Sequence, residues 1–238
     1  MDILNKPLSF YIEKLKKKEY FSLVMYGDGE WEAIFKNNIG GKNAEGSIYT
    51  PELCDALEKS LYFKADNFFF STAGQLLLKI KNYLIGRKLD IDFYEKEVWN
   101  EAGVKAELYP LINQLRKMRV VIVGNNALRK LSFLNYNHFI EVSYPNCFVD
   151  KERVIKECLE YGKPAVYLFS VGLPNPIFIQ ELHGKIPESW FVAVGSIWDT
   201  FVRIGGQRGF RQELYSDEVK YQQWLKDNLK ELYENYQS

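Results

Sequence analysis

Apolar residues along this chain fall into short runs that alternate with segments of helical spacing. Residues 21–26, 67–71, 119–124, 139–142, 165–170 and 190–194 are the apolar runs, and each is short enough for a strand. Val120-Val121-Ile122-Val123 places four β-branched residues in a row. Such a run is buried on both faces, the habit of a central parallel strand. Between the runs, residues 10–18, 28–36, 51–62, 75–85, 150–161 and 174–183 have helical periodicity, and Leu76, Leu77, Ile80 and Leu84 share one helix face. Thr50-Pro51-Glu52 is a helix start, with threonine as N-cap and proline in the first turn. Asp150 is expected to cap another helix, and Asn125 to Leu128 to turn into a further one. Residues 92–117 read as mostly helical with a break near Gly103. A polar helix opens at Asp217, with Tyr221, Leu225, Leu229, Leu232 and Tyr236 on one face. That face either packs on the core or meets a second copy of the chain in a homodimer. Strands alternating with helices predict an α/β fold, Rossmann-like, with a mainly parallel sheet flanked by helices.

The chain of 238 residues shows no composition break, repeat or low-complexity tract, so residues 1–238 are read as one domain. Lys plus Arg and Asp plus Glu both number 31, which argues against a nucleic-acid binder. Cys54, Cys147 and Cys158 form no CxxC pair and read as buried reduced thiols. The first residues lack a signal-peptide pattern, and no run approaches the ~20 apolar residues of a membrane span. The expectation is a cytoplasmic protein without an integral membrane segment. The lysine run at 14–18 is read as a solvated helix end, with contact to an anionic membrane surface as the alternative.

Candidate chemistry gathers where strands end. Gly27-Asp28-Gly29-Glu30 follows the first strand and opens a helix, setting two carboxylates around a glycine. In open α/β sheets, ligands bind beyond the carboxyl ends of the strands. Hard divalent cations prefer carboxylate oxygens and bridge to diphosphates. Asp28 and Glu30 are therefore candidate ligands of Mg²⁺ or Mn²⁺ beside a nucleotide diphosphate. The same residues also suit a plain turn, with Gly27 as N-cap and Glu30 at the third helical position. Three other turns are rich in small or polar residues: Gly124-Asn125, Ser170-Val171-Gly172 and Gly195-Ser196. On one sheet edge, all would face a phosphate-bearing ligand. Asn37 to Ser47 reads as a mobile flap, and Arg203, Arg208 and Arg211 lie in a glycine-bearing stretch suited to phosphate or to solvent. Tyr26, Trp31 and Trp198 either stack on a ligand ring or pack in the core. Asp199 is the candidate base, with Glu32 or His183 behind it. The GxGxxG, GxxxxGK[ST] and GxSxG motifs are absent after the strands, which disfavours ordinary Rossmann dehydrogenases, P-loop kinases and α/β-hydrolases.

Tyr26-Gly27-Asp28-Gly29-Glu30 after an apolar strand resembles the Asp-X-Glu signature of the GT-D-type glycosyltransferases, a family first catalogued as a domain of unknown function. The later turns Val123-Gly124-Asn125, Phe169-Ser170-Val171-Gly172 and Val194-Gly195-Ser196-Ile197-Trp198-Asp199 fall in a similar order. The resemblance implies a Rossmann-like domain that transfers a sugar, typically glucose, from a UDP-sugar donor to a glycan or glycoprotein acceptor. It implies that Asp28 and Glu30 hold metal and take part in catalysis. Many members carry arginine two residues before the motif's first glycine, where this chain has Met25. Its donor contact is then absent or made by another residue. The alternatives are a non-catalytic nucleotide- or sugar-binding module and a metal-dependent phosphoester hydrolase.

Overall fold

The computed structural model describes residues 3–206 and 209–237. Eight strands form one sheet: β1 (Ile3–Leu4), β2 (Ser22–Tyr26), β3 (Phe68–Thr72), β4 (Phe93–Glu95), β5 (Val120–Gly124), β6 (His138–Glu141), β7 (Val166–Ser170) and β8 (Trp190–Ala193). Their order is β1-β4-β3-β2-β8-β7-β5-β6, and every ladder is parallel. A parallel neighbour requires a crossover, and here helices supply it. They are α1 (Leu8–Lys16), α2 (Asp28–Ile34), α3 (Pro51–Ser60), α4 (Leu77–Gly86), α5 (Glu97–Val104), α6 (Tyr109–Leu115), α7 (Lys151–Tyr161) and α8 (Asn175–Leu182). After the last strand come α9 (Gly209–Ser216), α10 (Glu218–Leu229) and α11 (Tyr233–Gln237). Every residue of β2, β5 and β8 is buried, because helices cover both faces of the sheet.

The apolar runs land on the strands they predict, and Thr50 caps α3 by accepting a hydrogen bond from the Leu53 N–H at 3.2 Å. Three expectations are corrected. Residues 93–95 are strand rather than helix, since Phe93 pairs with Phe70 and Tyr94 with Ser71. This strand of three residues, between β1 and β3, is too short to show a period of two. Asp150 precedes α7, but its carboxylate accepts from the Ser143 N–H instead of capping the helix. The terminal helix is broken at Lys230, whose φ is 53°. Past the break, a short 3₁₀ turn leads into α11.

The terminal segment packs on the core. Tyr221 donates to the carbonyls of Thr200 and Phe201, and the Tyr236 hydroxyl also reaches Phe201 O, at 2.7 Å. Trp224 stacks against Phe201 and Tyr221 and donates to Gly103 O at 2.8 Å. Tyr26, Trp31 and Trp198 are fully enclosed and likewise serve the core. Trp31 Nε1 donates to Thr72 Oγ1, which donates to Tyr26 O, tying α2 to the ends of β2 and β3. The three cysteines are buried free thiols, and burial pushes Cys147 and Cys158 up to about 12. Among the described residues, no helix is long and apolar enough to cross a membrane.

Trp224→Ala should remove both an aromatic cluster and a buried hydrogen bond. The expected loss is about 3–5 kcal/mol in urea unfolding. A change within experimental error would mean that the terminal segment is only loosely attached.

Candidate functional site

Because every ladder is parallel, the turns after β2, β5, β7 and β8 all lie on one edge of the sheet. The sheet is weakest there in one place. β2 pairs with β8 only through Ser22–Phe191 and Leu23–Val192, so the two strands part before Met25. The Asn175 side chain takes over the missing ladder: its Oδ1 accepts from Met25 N–H at 2.9 Å, and its amide donates to Met25 O at 3.0 Å. The same amide reaches Gly172 O at 3.0 Å and Glu30 Oε1 at 3.2 Å. One buried side chain thus binds the turns after β2 and β7 together. Gly195, with φ of 56°, brings the turn after β8 beside the Met25 sulfur.

Asp28 and Glu30 differ sharply in setting. Glu30 is 8% exposed, and its Oε2 accepts from the N–H of the N-cap Gly27 at 2.8 Å, one half of a capping box, since glycine has no side chain to supply the other. Burial pushes the Glu30 carboxyl up to about 7, against the pull of the Lys96 ammonium and the Gly27 N–H. Asp28 is exposed, and its carboxylate has no hydrogen-bond or ion-pair partner among the described residues. Gly29 is where two segments press on the motif: a Cβ there would lie 2.6 Å from Leu173 and 3.7 Å from the Tyr49 hydroxyl.

The segment at 37–49 is held by its own hydrogen bonds. Asn43 Oδ1 accepts from the N–H groups of Glu45 and Ser47, and Lys42 forms a bridge with Ile48. Ser47 donates to Pro145 O at 2.7 Å, and Ile48 N–H to Asn146 Oδ1 at 2.8 Å. The flap is therefore buttoned to the loop after β6. Beneath it lies a cleft of about 540 Å³ whose lining includes Glu45, Asn125, Asn126, Tyr144, Asp199 and Gly205. Glu45 also acts electrostatically on Glu30, which links this cleft to the motif.

The remaining candidates take varied places. Gly124 pairs with Ser170, and a Cβ on Gly124 would clash with Leu128 at 2.6 Å. Asn125 accepts from the Ala127 N–H, and Ser170 donates to Gly195 O at 2.8 Å, so these residues shape turns on the ligand edge. Ser196 Oγ and Trp198 Nε1 are buried with no hydrogen-bond partner. Asp199 lies at the cleft with its Oδ2 at 3.4 Å from the buried Arg211 guanidinium. Arg211 also bonds Thr200 Oγ1 at 3.0 Å and the Ser196 carbonyl. Arg203 turns away, pairing with Glu218 and lying 3.9 Å over the Tyr221 ring. Arg208 lies outside the described residues. His183 is removed from the site: its Nδ1 meets Ser22 Oγ at 2.8 Å at the start of β2, the opposite end of the strand from the motif. Glu32 accepts from Asn37 Nδ2 on the flap side of α2.

Asn175, Lys96, Glu45 and Tyr49 went unnoticed in the sequence. Asn175 sits in an Asn-Pro pair that reads as helix punctuation, and Glu45 in a loop with no spacing to mark it. A second cleft, of about 420 Å³, opens on the far edge of the sheet among Lys16, Lys18, Lys117, Arg119, Tyr20 and Trp190.

Fold and edge together define a parallel α/β protein with a ligand crevice at the carboxyl ends of its strands. The backbone is similar to that of solved structures of the domain of unknown function 1792. Two of them, one described as selenomethionine-substituted and one as having a distinct glycosyltransferase fold, superpose with TM-scores of 0.60 and 0.61 at 15% and 14% identity. Each alignment covers 90% of this chain and 82% of the other. A third, described as a new glycosyltransferase from Streptococcus sanguinis, has a TM-score of 0.61 at 13% identity, over 90% of this chain and 85% of its own. The chain thus has the DUF1792 fold that its Asp-X-Glu turn suggests. No protein-family model matches the sequence, and no curated protein does.

The buried Glu30 carboxyl makes stability depend on pH. Its folded value lies above the ordinary carboxylate range, so the folded state favours the proton. That stabilisation is complete below about pH 4.5 and is lost as pH rises through about 7. The melting temperature of wild type relative to Glu30→Gln should therefore fall between pH 5 and pH 8. A pH-independent difference would show that Glu30 is ionised as readily as an exposed carboxylate.

Proposed function

We propose that this protein is a metal-dependent glycosyltransferase that moves a sugar from a nucleotide-diphosphate donor, a UDP-sugar, to a glycan or glycoprotein acceptor. The observation that carries the reading is the exposed, unpartnered Asp28 carboxylate at the ligand edge of a sheet with this fold. The protein donors fit a cation that takes most of its ligands from diphosphate and water, as Mg²⁺ commonly does. Asp28 would hold it directly. Glu30, whose two oxygens already accept from Gly27 and Asn175, would support it from behind or as a further ligand. Among the described residues, no cluster of three or more His, Cys, Asp or Glu forms an all-protein cage. When bound, the cation would neutralise the diphosphate and stabilise the departing nucleoside diphosphate.

The chain's own groups would then do the following. Gly29 and Gly124, packed against Leu173 and Leu128, would fix the shape of the turns that face the donor. Ser196 Oγ, buried with no hydrogen-bond partner among the described residues, is a polar atom left for water. Asp199, Glu45 and Glu141 line the cleft, and of these Asp199 or Glu45 would take the proton of an acceptor hydroxyl, Glu141 being paired with Arg129. Exposed Tyr144 offers a face for a sugar or base. Arg203 contributes through α10 rather than through the donor.

The hydrogen bond from the Gly27 N–H to Glu30 favours a second reading, a non-catalytic nucleotide- or sugar-binding module in which the motif only shapes a turn. Titration calorimetry of UDP, UDP-glucose and other nucleotide sugars, with Mn²⁺ and with chelator, separates the two. In the transferase reading Mn²⁺-dependent binding occurs, and Asp28→Asn abolishes it while the melting temperature stays at wild type. Retention of metal-dependent binding in Asp28→Asn would remove that carboxylate from the site. Donor binding without sugar transfer to any glycan tried would favour the binding module.

A further inference from the structure

α4 is the helix whose outer face the fold leaves uncovered. Ile80 and Leu84 are buried, and Tyr83 packs on Trp31 and Phe35 of the α2 region. The opposite face carries Leu78 and Ile85, which are 74% and 65% exposed, and Leu77, beside the buried face, is 39% exposed at its margin. Leu78 and Ile85 fall almost one above the other at helical spacing, with Lys81 between them. Exposed apolar residues scattered singly are ordinary, but Leu78 and Ile85 stand together on one outward face.

The charges carried by α4 and the turn that follows it are basic as far as Asp90. From Gly74 to Leu89 the chain holds Lys79, Lys81, Arg87 and Lys88 and no carboxylate. Arg87 is matched by Glu58 at 2.6 Å, and Lys79 lies 4.2 Å over the Phe35 ring. Lys81 and Lys88 are exposed and have no carboxylate partner among the described residues. Apolar side chains flanked by uncompensated lysines form the pattern of a helix that lies in the plane of an anionic interface, its aliphatic lysine stems spread over the apolar surface. A second copy of this chain is a poor occupant, because two such faces would set lysine against lysine.

We propose that the outer face of α4 docks the protein on an anionic lipid surface, with Leu78 and Ile85 entering the headgroup boundary and Lys81 and Lys88 meeting lipid phosphates. Thr72 pairs in register with Tyr26, so α4 starts from the same sheet edge as the Gly27–Glu30 turn. Under the transferase reading, docking would hold that edge near an acceptor carried on the lipid. Vesicle binding needs no turnover, so it succeeds or fails separately from that reading.

The test is co-sedimentation of the full chain with vesicles of phosphatidylcholine alone or mixed with phosphatidylglycerol, at low and physiological salt. Binding is expected on the anionic vesicles only, and it should weaken as salt rises. Leu78→Glu with Ile85→Glu should abolish it, and Lys81→Glu with Lys88→Glu should weaken it about tenfold or more. Leu78→Ser with Ile85→Ser serves as a milder pair, and melting curves matching wild type show that each variant is folded. Absence of wild-type binding to anionic vesicles overturns the proposal. So does binding unchanged in the α4 variants, or lost instead in Lys18→Glu with Lys117→Glu at the far cleft. A dimer in light scattering that Leu78→Glu with Ile85→Glu dissociates would assign the face to a second copy and also overturn it.

Discussion

The Asn175 amide is the interaction on which the ligand edge depends. A parallel sheet is held by regular ladders, yet between β2 and β8 the ladder stops after two residue pairs. The main chain of Met25 would be left with a buried donor and acceptor, each costly without a partner. Asn175 offers one acceptor and two donors in a single plane, and uses them on Met25, Gly172 and Glu30. A hydrophobic residue of similar size would fill the space and leave four polar groups short of a partner. The strands can therefore part while these main-chain groups stay paired.

This also explains why the two carboxylates of one short motif have different characters. Glu30 faces inward, toward Asn175 and the Gly27 N–H, and holds the turn in shape. Asp28, two residues earlier on the first turn of α2, faces water. Glycine between them lets Leu173 and Tyr49 come close enough to wall the motif on two sides. The arrangement joins a rigid support to a free charge, as a site for a charged ligand requires.

The strands and most helices were legible because their signals are local: β-branched runs, a Thr-Pro helix start, glycine-bearing turns. The convergence of four turns on one edge followed from parallel order alone. β4 was hidden because a strand of three residues carries no period, and the break at Lys230 because no glycine or proline marks it. The site's supporting residues were hidden for a different reason. Asn175 and Glu45 gain their meaning from residues roughly 145 and 15 positions away, and neither sits in a pattern that local spacing can flag. Asp199 was legible as a carboxylate on the right edge. Its partner Arg211 was seen only as one of three loop arginines, although burial singles it out. His183 was misleading because a helix-ending histidine looks the same in sequence at either end of a sheet.

The brief β2–β8 ladder has a consequence for how the chain reaches this structure. Strands β1 to β4 come from residues 3–95 and pair only with one another apart from that ladder, while β5 to β8 come from residues 120–193 and do the same. Each half-sheet can close over loops much shorter than the chain. Joining them requires Leu23 to find Val192, near the far end of the sequence. Loop-closure entropy favours local pairings before distant ones. Loop closure thus favours the two half-sheets as early units of folding, with the β2–β8 seam joining them later.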